Sequence, residues 1–207
     1  DMVLAIGGGS VIDCAKVVAA GACYDGDPWD LVITPRWIKK ALPIYSVLTL
    51  SATGSEMDPF AVISDMSKNE KWGTASEHMK PKMSILDPEY TYSVSKKQTA
   101  AGTADMISHI CENYFTNVKN ADVQARFAEG LLKNCFKYGP IALEEPDNYD
   151  ARANLMWTAS MAINGILSDG AEVSWCVHPM EHELSAFYDI THGEGLAILT
   201  PHWMDFA

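Results

Sequence analysis

The stretch that most constrains the fold stands at the start, where VLAIG (residues 3–7) runs directly into GGSVIDCAKVVAAGAC. A short apolar run ending in glycines has the profile of a buried parallel strand. Small and apolar residues then recur at helical spacing over 11–22, so a strand, a glycine turn and a helix starting near Ser10 make half of a βα unit. IYSVLTL (44–50) reads as a second buried strand, followed by the polar, glycine-containing loop SATGSE. FAVIS (60–64) and MSILD (83–87) are further strand candidates, with YDGDPWDL and MSKNEKWG read as loops or turns.

From about Gln98 the period changes. Residues 99–115 read as a helix, and 121–138 as a second that Gly139-Pro140 stops. In 152–167, Leu155, Met156, Ala159, Ala162, Ile163, Ile166 and Leu167 recur at three and four, the pattern of a helix with a wide buried stripe. Residues 172–186 form a fourth helix, and Gly193 begins a fifth that Pro201 interrupts. The expected architecture is an α/β region over 1–95 followed by an all-α region over 96–207, joined near 93–98.

Bulk properties exclude several function classes. A formal net charge of −12 argues against a nucleic-acid or anionic-membrane surface. No apolar run is long enough to span a bilayer, and no signal peptide is expected. The five cysteines are scattered, odd in number and form no C-x-x-C pair, which suits a reducing cytoplasm better than a disulfide framework. Both ends of the chain are abrupt, at Asp1-Met2 and HWMDFA, and read as cuts through a larger protein.

Four groups of residues can carry chemistry. Gly7-Gly8-Gly9-Ser10 lets backbone approach a phosphate at a helix N-terminus. The same residues also suit a tight turn capped by Ser10, and G-x-G-x-x-G is not fulfilled because Ile12 stands at the third glycine. Thr49, Ser51, Thr53 and Ser55 put hydroxyls at and beyond a strand end, the edge where ligands sit in open α/β sheets, although turn and cap roles explain them as well. Asp105 and His109 lie four apart on one helical face. His178 and His182 do the same, and His192 follows within fifteen residues of His178. Together these point to a divalent metal, with spacing taking His178 and His182 as the pair and leaving His192 undecided. H-E-x-x-H is absent, and His78 and His202 have no partners at useful spacing.

The segments IGGGSVIDCAK, LTLSATGSE, AGTADMISHICENYF and VHPMEHELSAFYDITHGEGLAILTP together resemble the iron-containing (group III) alcohol dehydrogenase family, in its butanol dehydrogenase and broad-range aldehyde reductase branch. The resemblance runs from end to end and covers about the middle half of a full-length member. It implies part of a Rossmann-like nucleotide-binding domain joined to part of a helical metal-binding domain. It implies Fe²⁺ or Zn²⁺ on Asp105, His109, His178 and His192, with His182 moving the proton. NAD or NADP would lie with its pyrophosphate on Gly8, Gly9 and Ser10, Asp13 close by, Thr49 and Thr53 on the nucleotide and Lys71 near its ribose. The implied substrates are small aldehydes and primary alcohols, and the implied assembly is a homo-oligomer, a dimer, of the full-length form. Leu50, Ser51 and Ala52 depart from the family's PTTAGTGSE pattern without removing either threonine.

Overall fold

A computed structural model describes residues 1–207 apart from Asn117, Glu172, Ser174 and Ala207. The apolar run forms β1 (Val3–Gly7), and the glycines release the chain into α1 (Gly9–Gly21). Strand β2 (Ile44–Leu48) pairs in parallel with β1, Val3 opposite Ile44 and Gly7 opposite Leu48. The hairpin β3 (Phe60–Asp65) and β4 (Glu70–Ala75) is antiparallel, and β5 (Met83–Ile85) adds in parallel to the other side of β2. The parallel sheet therefore has the order β1-β2-β5.

Two segments expected as loops are ordered. Within YDGDPWDL, α2 (Pro28–Ile33) forms because Asp27 accepts the Trp29 N–H at 2.9 Å and Pro28 occupies the first turn, where its missing N–H costs nothing. Within MSKNEKWG, only 66–69 turn, with Asn69 at φ 52, and β4 follows. Charged residues and a glycine hide this strand from propensity. Pairing with β3 and the buried Thr74, whose hydroxyl donates to Leu31 O at 2.8 Å, hold it.

The rest of the described chain is helical: α3 (Lys96–Tyr114), α4 (Asp122–Glu144), α5 (Tyr149–Ile163), α6 (Val177–Tyr188) and α7 (His192–Phe206). Two expected stops fail. Helix α4 runs through Gly139-Pro140 because Cys135 and Ala142, buried on either side of them, keep the helix seated in the core. Helix α7 likewise continues through Pro201, with Thr200 buried and donating to Ser108 Oγ at 3.0 Å. Helix α5 ends earlier than its apolar stripe, since Gly165 at φ 103 turns the chain after Asn164. The expected fourth helix starts only at Val177. Glu172 and Ser174 lie outside the described residues.

One apolar cluster joins α3, α4 and α5 through Met106, Ile110, Cys135 and Leu155. A second sits under the sheet, and a third carries Met156 of α5 onto Ala5, Ile12 and Leu48. The loop after β2 is tied to α5 by Glu56, whose carboxyl accepts from Ser160 Oγ. The α/β and helical parts thus share packed contacts along this loop, which fixes where α3 stands relative to the sheet. None of the helices searched among the described residues is long and apolar enough to cross a membrane.

Candidate metal centre

Three helices supply the centre. Helix α3 presents Asp105 and His109 on one face, α6 presents His178 in its first turn, and α7 opens with His192. The approach of α7 to α3 depends on Gly193, because a Cβ there would stand 2.0 Å from Ala101 O. That contact brings His192 over the Asp105 face. His192 Nε2 is 3.8 Å from Asp105 Oδ1, His178 Nε2 is 3.6 Å and His109 Nδ1 is 3.5 Å. The rings of His109 and His178 stack, with centroids 4.4 Å apart.

Asp105 Oδ1, His109 Nδ1 and His178 Nε2 are buried and have no hydrogen-bond partner. Orphaned polar atoms are costly, so Asp105 Oδ1 and His178 Nε2, 3.6 Å apart, call for a common partner, with His109 Nδ1 3.5 Å from the same oxygen. Donors 2.0–2.1 Å from an ion at tetrahedral angles would stand roughly 3.3–3.4 Å apart, close to the separations observed. Ligand atoms of Asp105, His178 and His192 all lie within 4.8 Å of one another. His109 meets this set at its Asp105 corner. The donor set therefore fits a divalent cation.

Electrostatics favours the same reading. Burial alone would raise the pKa of Asp105, but His109, His178 and His192 outweigh it and hold the carboxyl well below the usual range. Burial pushes His109 down to about 3, keeping it in the neutral form that ligates metal. Burial also opposes charge on His178, yet the carboxylates of Asp105 and Glu112 together lift it to about 9.

Glu112 and Glu181 are functional candidates that sequence reasoning missed. Glu112 pairs with His178 Nδ1 and accepts the backbone N–H groups of Cys176 at 2.5 Å and Val177 at 2.6 Å. Glu181 pairs with His192 Nδ1 and Ser185 Oγ. A carboxylate on the far nitrogen fixes ring orientation and raises ligand basicity. Each glutamate lies inside a histidine-bearing segment, but each serves a histidine on another helix, so spacing could not assign it. Replacing Glu112 with alanine is expected to weaken metal binding roughly 10–100-fold, read by chelator competition.

The remaining site residues fall in two places. Gly8 and Gly9 form the turn into α1, whose N-cap lacks a side-chain hydrogen bond, and Ser10 is exposed in its first turn. A Cβ at Gly9 would lie 2.3 Å from Thr53 Oγ1, so only glycine lets the two loops meet. Thr49 joins them from the other strand, its N–H donating to Gly7 O at 3.1 Å. Asp13 points inward: it accepts from Ser55 Oγ at 2.5 Å and from Val62 N at 2.8 Å, so both oxygens are engaged within the protein. Lys71 reaches the metal cluster, with Nζ 3.2 Å from Glu181 and 3.4 Å from His192 Nδ1.

Spacing paired His178 with His182, but the structure puts His192 between them. His178 groups with Asp105 and His192, while His182 groups with Glu181 and His192, its ring 5.6 Å from that of His192. Burial and the nearby Lys71 ammonium push His182 down to about 3. His78 and His202 are exposed, away from both groups.

Comparison with known families settles the kinship. Residues 1–88 match the model of iron-containing alcohol dehydrogenase, and residues 99–207 match the C-terminal model of the same family. The chain belongs to the iron-containing alcohol dehydrogenase family. It is 64% identical over 206 residues to NADH-dependent butanol dehydrogenase A of Clostridium acetobutylicum, covering all of this chain and 53% of that protein. It is 45% identical to the NADPH-dependent aldehyde reductase of Escherichia coli, covering 96% of this chain and 52% of that one. The crystal structure of NADH-dependent butanol dehydrogenase A from Thermotoga maritima superposes with a TM-score of 0.96 at 48% identity, over 99% of this chain and 52% of that one. The chain spans about half the length of the curated relatives it matches.

Proposed function

We propose that the chain serves a metal-dependent, NAD(P)H-linked oxidoreductase that interconverts aldehydes and primary alcohols. The grouping of ligand atoms of Asp105, His178 and His192 within 4.8 Å of one another, with the orphaned Oδ1 of Asp105 and Nε2 of His178 among them, supports this reading most strongly. Asp105, His109, His178 and His192 hold the ion, and Glu112 and Glu181 keep the rings of His178 and His192 aimed at it. The mixed oxygen and nitrogen set suits Fe²⁺ and Zn²⁺ alike, and the iron in the family's description favours Fe²⁺. When bound, the ion supplies Lewis acidity toward a carbonyl oxygen and the reduced nicotinamide supplies hydride.

The chain's own residues do the positioning. Backbone N–H groups of Gly8, Gly9 and Ser10 receive the pyrophosphate, and Thr49 and Thr53 border the nucleotide. Lys71, its charge balanced by Glu181, would approach the ribose of the bound nucleotide. Asp13 acts one layer back, anchoring α1 to β3. His182, half-buried with its ring 5.6 Å from that of His192, is the group that passes the proton between the substrate oxygen and solvent.

A cytoplasmic setting agrees with cysteines that form no C-x-x-C pair, among which burial pushes Cys111 up to about 11 and Cys135 up to about 12, so that neither is reactive. The dimer rests on the family resemblance alone. The deciding experiment follows oxidation of NADH and NADPH with butanal and added Fe²⁺ or Zn²⁺, on this chain and on a full-length relative. Metal-dependent oxidation by the chain supports the proposal. Turnover in the long form alone favours a second reading, a non-catalytic metal- and nucleotide-binding unit, which the half-length coverage suggests.

A further inference from the structure

Where the loop after β2 meets α3 and α5 lies a cavity of about 10 Å³, with none of the proposed metal ligands in its walls. A space of roughly 10–15 Å³ holds one water-sized occupant. The polar lining is Ser51, Gln98, Thr99, Thr103 and Arg152, and the other walls are aliphatic side chains and Met106. No carboxylate lines it.

Arg152 is the group that needs explaining. It is only 5% exposed, and no ion pair joins it to a carboxylate among the described residues. Its Nε donates to Pro146 O at 2.8 Å and its Nη1 to Thr99 Oγ1 at 3.0 Å, both neutral acceptors. A buried charge is costly unless it is paired as well as hydrogen-bonded. Burial accordingly pushes the guanidinium pKa below its usual value, with the ionisable Tyr92 hydroxyl the one charge set against it.

A second observation points the same way. Ser51 Oγ is buried without a hydrogen-bond partner. Thr99 Oγ1 accepts from Arg152 and keeps its own proton to donate, while the Thr103 hydroxyl is committed to Thr99 O at 2.8 Å. Gln98 adds amide N–H groups. The lining thus offers one cation and several donors.

We infer that this cavity binds one small, weakly hydrated monovalent anion, of which chloride is the type, held by Arg152 and Ser51. A water molecule would satisfy the serine and leave the guanidinium unpaired. Phosphate is too large for the space, and the aliphatic walls disfavour an ion that holds its water tightly. Ser51 stands between Thr49 and Thr53, and α3 closes on it so tightly that a Cβ at Gly102 would lie 2.6 Å from Ser51 O. Occupancy therefore ties the loop that carries both threonines to Arg152 of α5.

The test compares sodium chloride with sodium gluconate at matched ionic strength, reading thermal unfolding and the chloride NMR line width on the metal-loaded protein. A ligand that binds only the folded state stabilises it with the logarithm of its concentration above Kd. Tm is expected to climb with chloride and not with gluconate, and the protein is expected to broaden the chloride line. Ser51→Ala removes a hydrogen bond to a charged partner and should weaken chloride binding roughly tenfold or more. Without an anion, that substitution deletes only an orphaned hydroxyl. Arg152→Gln should abolish both responses, and Ser51→Ala decides the question if that variant does not fold.

Chloride-specific stabilisation and line broadening that both fall in Ser51→Ala support the inference. Equal Tm in the two salts overturns it. A response in either readout that survives unchanged in Ser51→Ala overturns it too, because the chloride then sits elsewhere, the metal included.

Discussion

Alanine at Asp105 is expected to reduce bound metal to background and to abolish metal-dependent turnover. Its Oδ1 stands 3.5–3.8 Å from ring nitrogens of His109, His178 and His192, and it is the one carboxylate among the four proposed ligands. Losing a mere supporting partner of a ligand costs roughly 10–100-fold in metal affinity, so losing this ligand should cost more than ~100-fold. Asp105→Asn keeps the volume but not the charge, and it should fail to retain metal as well. Elemental analysis with chelator titration reads both variants. An Asp105→Asn protein that keeps metal would show that shape, rather than the carboxylate, organises the site.

The second large effect lies away from the metal. Lys16 is fully buried and donates to Ser55 Oγ at 2.9 Å, Asp58 Oδ1 at 2.8 Å and Phe60 O at 2.6 Å. Ser55 in turn donates to Asp13. This network clamps α1, the loop after β2 and the start of β3 together. Lys16→Met removes the cation and leaves two buried carboxylates behind, a loss of about 3–5 kcal/mol in urea unfolding.

The loss should depend on pH. Burial pushes Asp58 up to about 7 even with Lys16 pulling the other way, and burial raises Asp13 too. Without Lys16 both folded-state values rise further, while the unfolded values stay in the usual carboxylate range. A folded state that holds protons the unfolded state releases loses stability as pH rises. The deficit of Lys16→Met should therefore be larger at pH 8 than at pH 5. A deficit that is flat across this window would contradict a charge network.

Much of this was legible from patterns that act locally. The apolar run into three glycines specified β1 and α1, and D-x3-H placed Asp105 and His109 on one face. What escaped was set by packing. Glu70–Ala75 is a strand only because β3 pairs with it. Pro140 and Pro201 fail to stop their helices, each standing next to a buried residue that seats its helix, Gly139 and Thr200. The site shows the same division. Helical spacing sees neighbours on one helix, whereas His192 comes from the next helix, seated by the close contact of Gly193 with Ala101. Glu112 and Glu181 were hidden for the same reason, each reaching a histidine on a different helix.

The central claim is a division of labour among the histidines of α6 and α7, with His178 and His192 as ligands and His182 as proton carrier. Metal content of His182→Ala and His192→Ala, purified side by side, tests it directly. The geometry predicts that His182→Ala retains its ion at the level of the unsubstituted protein while His192→Ala loses it. Retention in His192→Ala together with loss in His182→Ala would contradict the account.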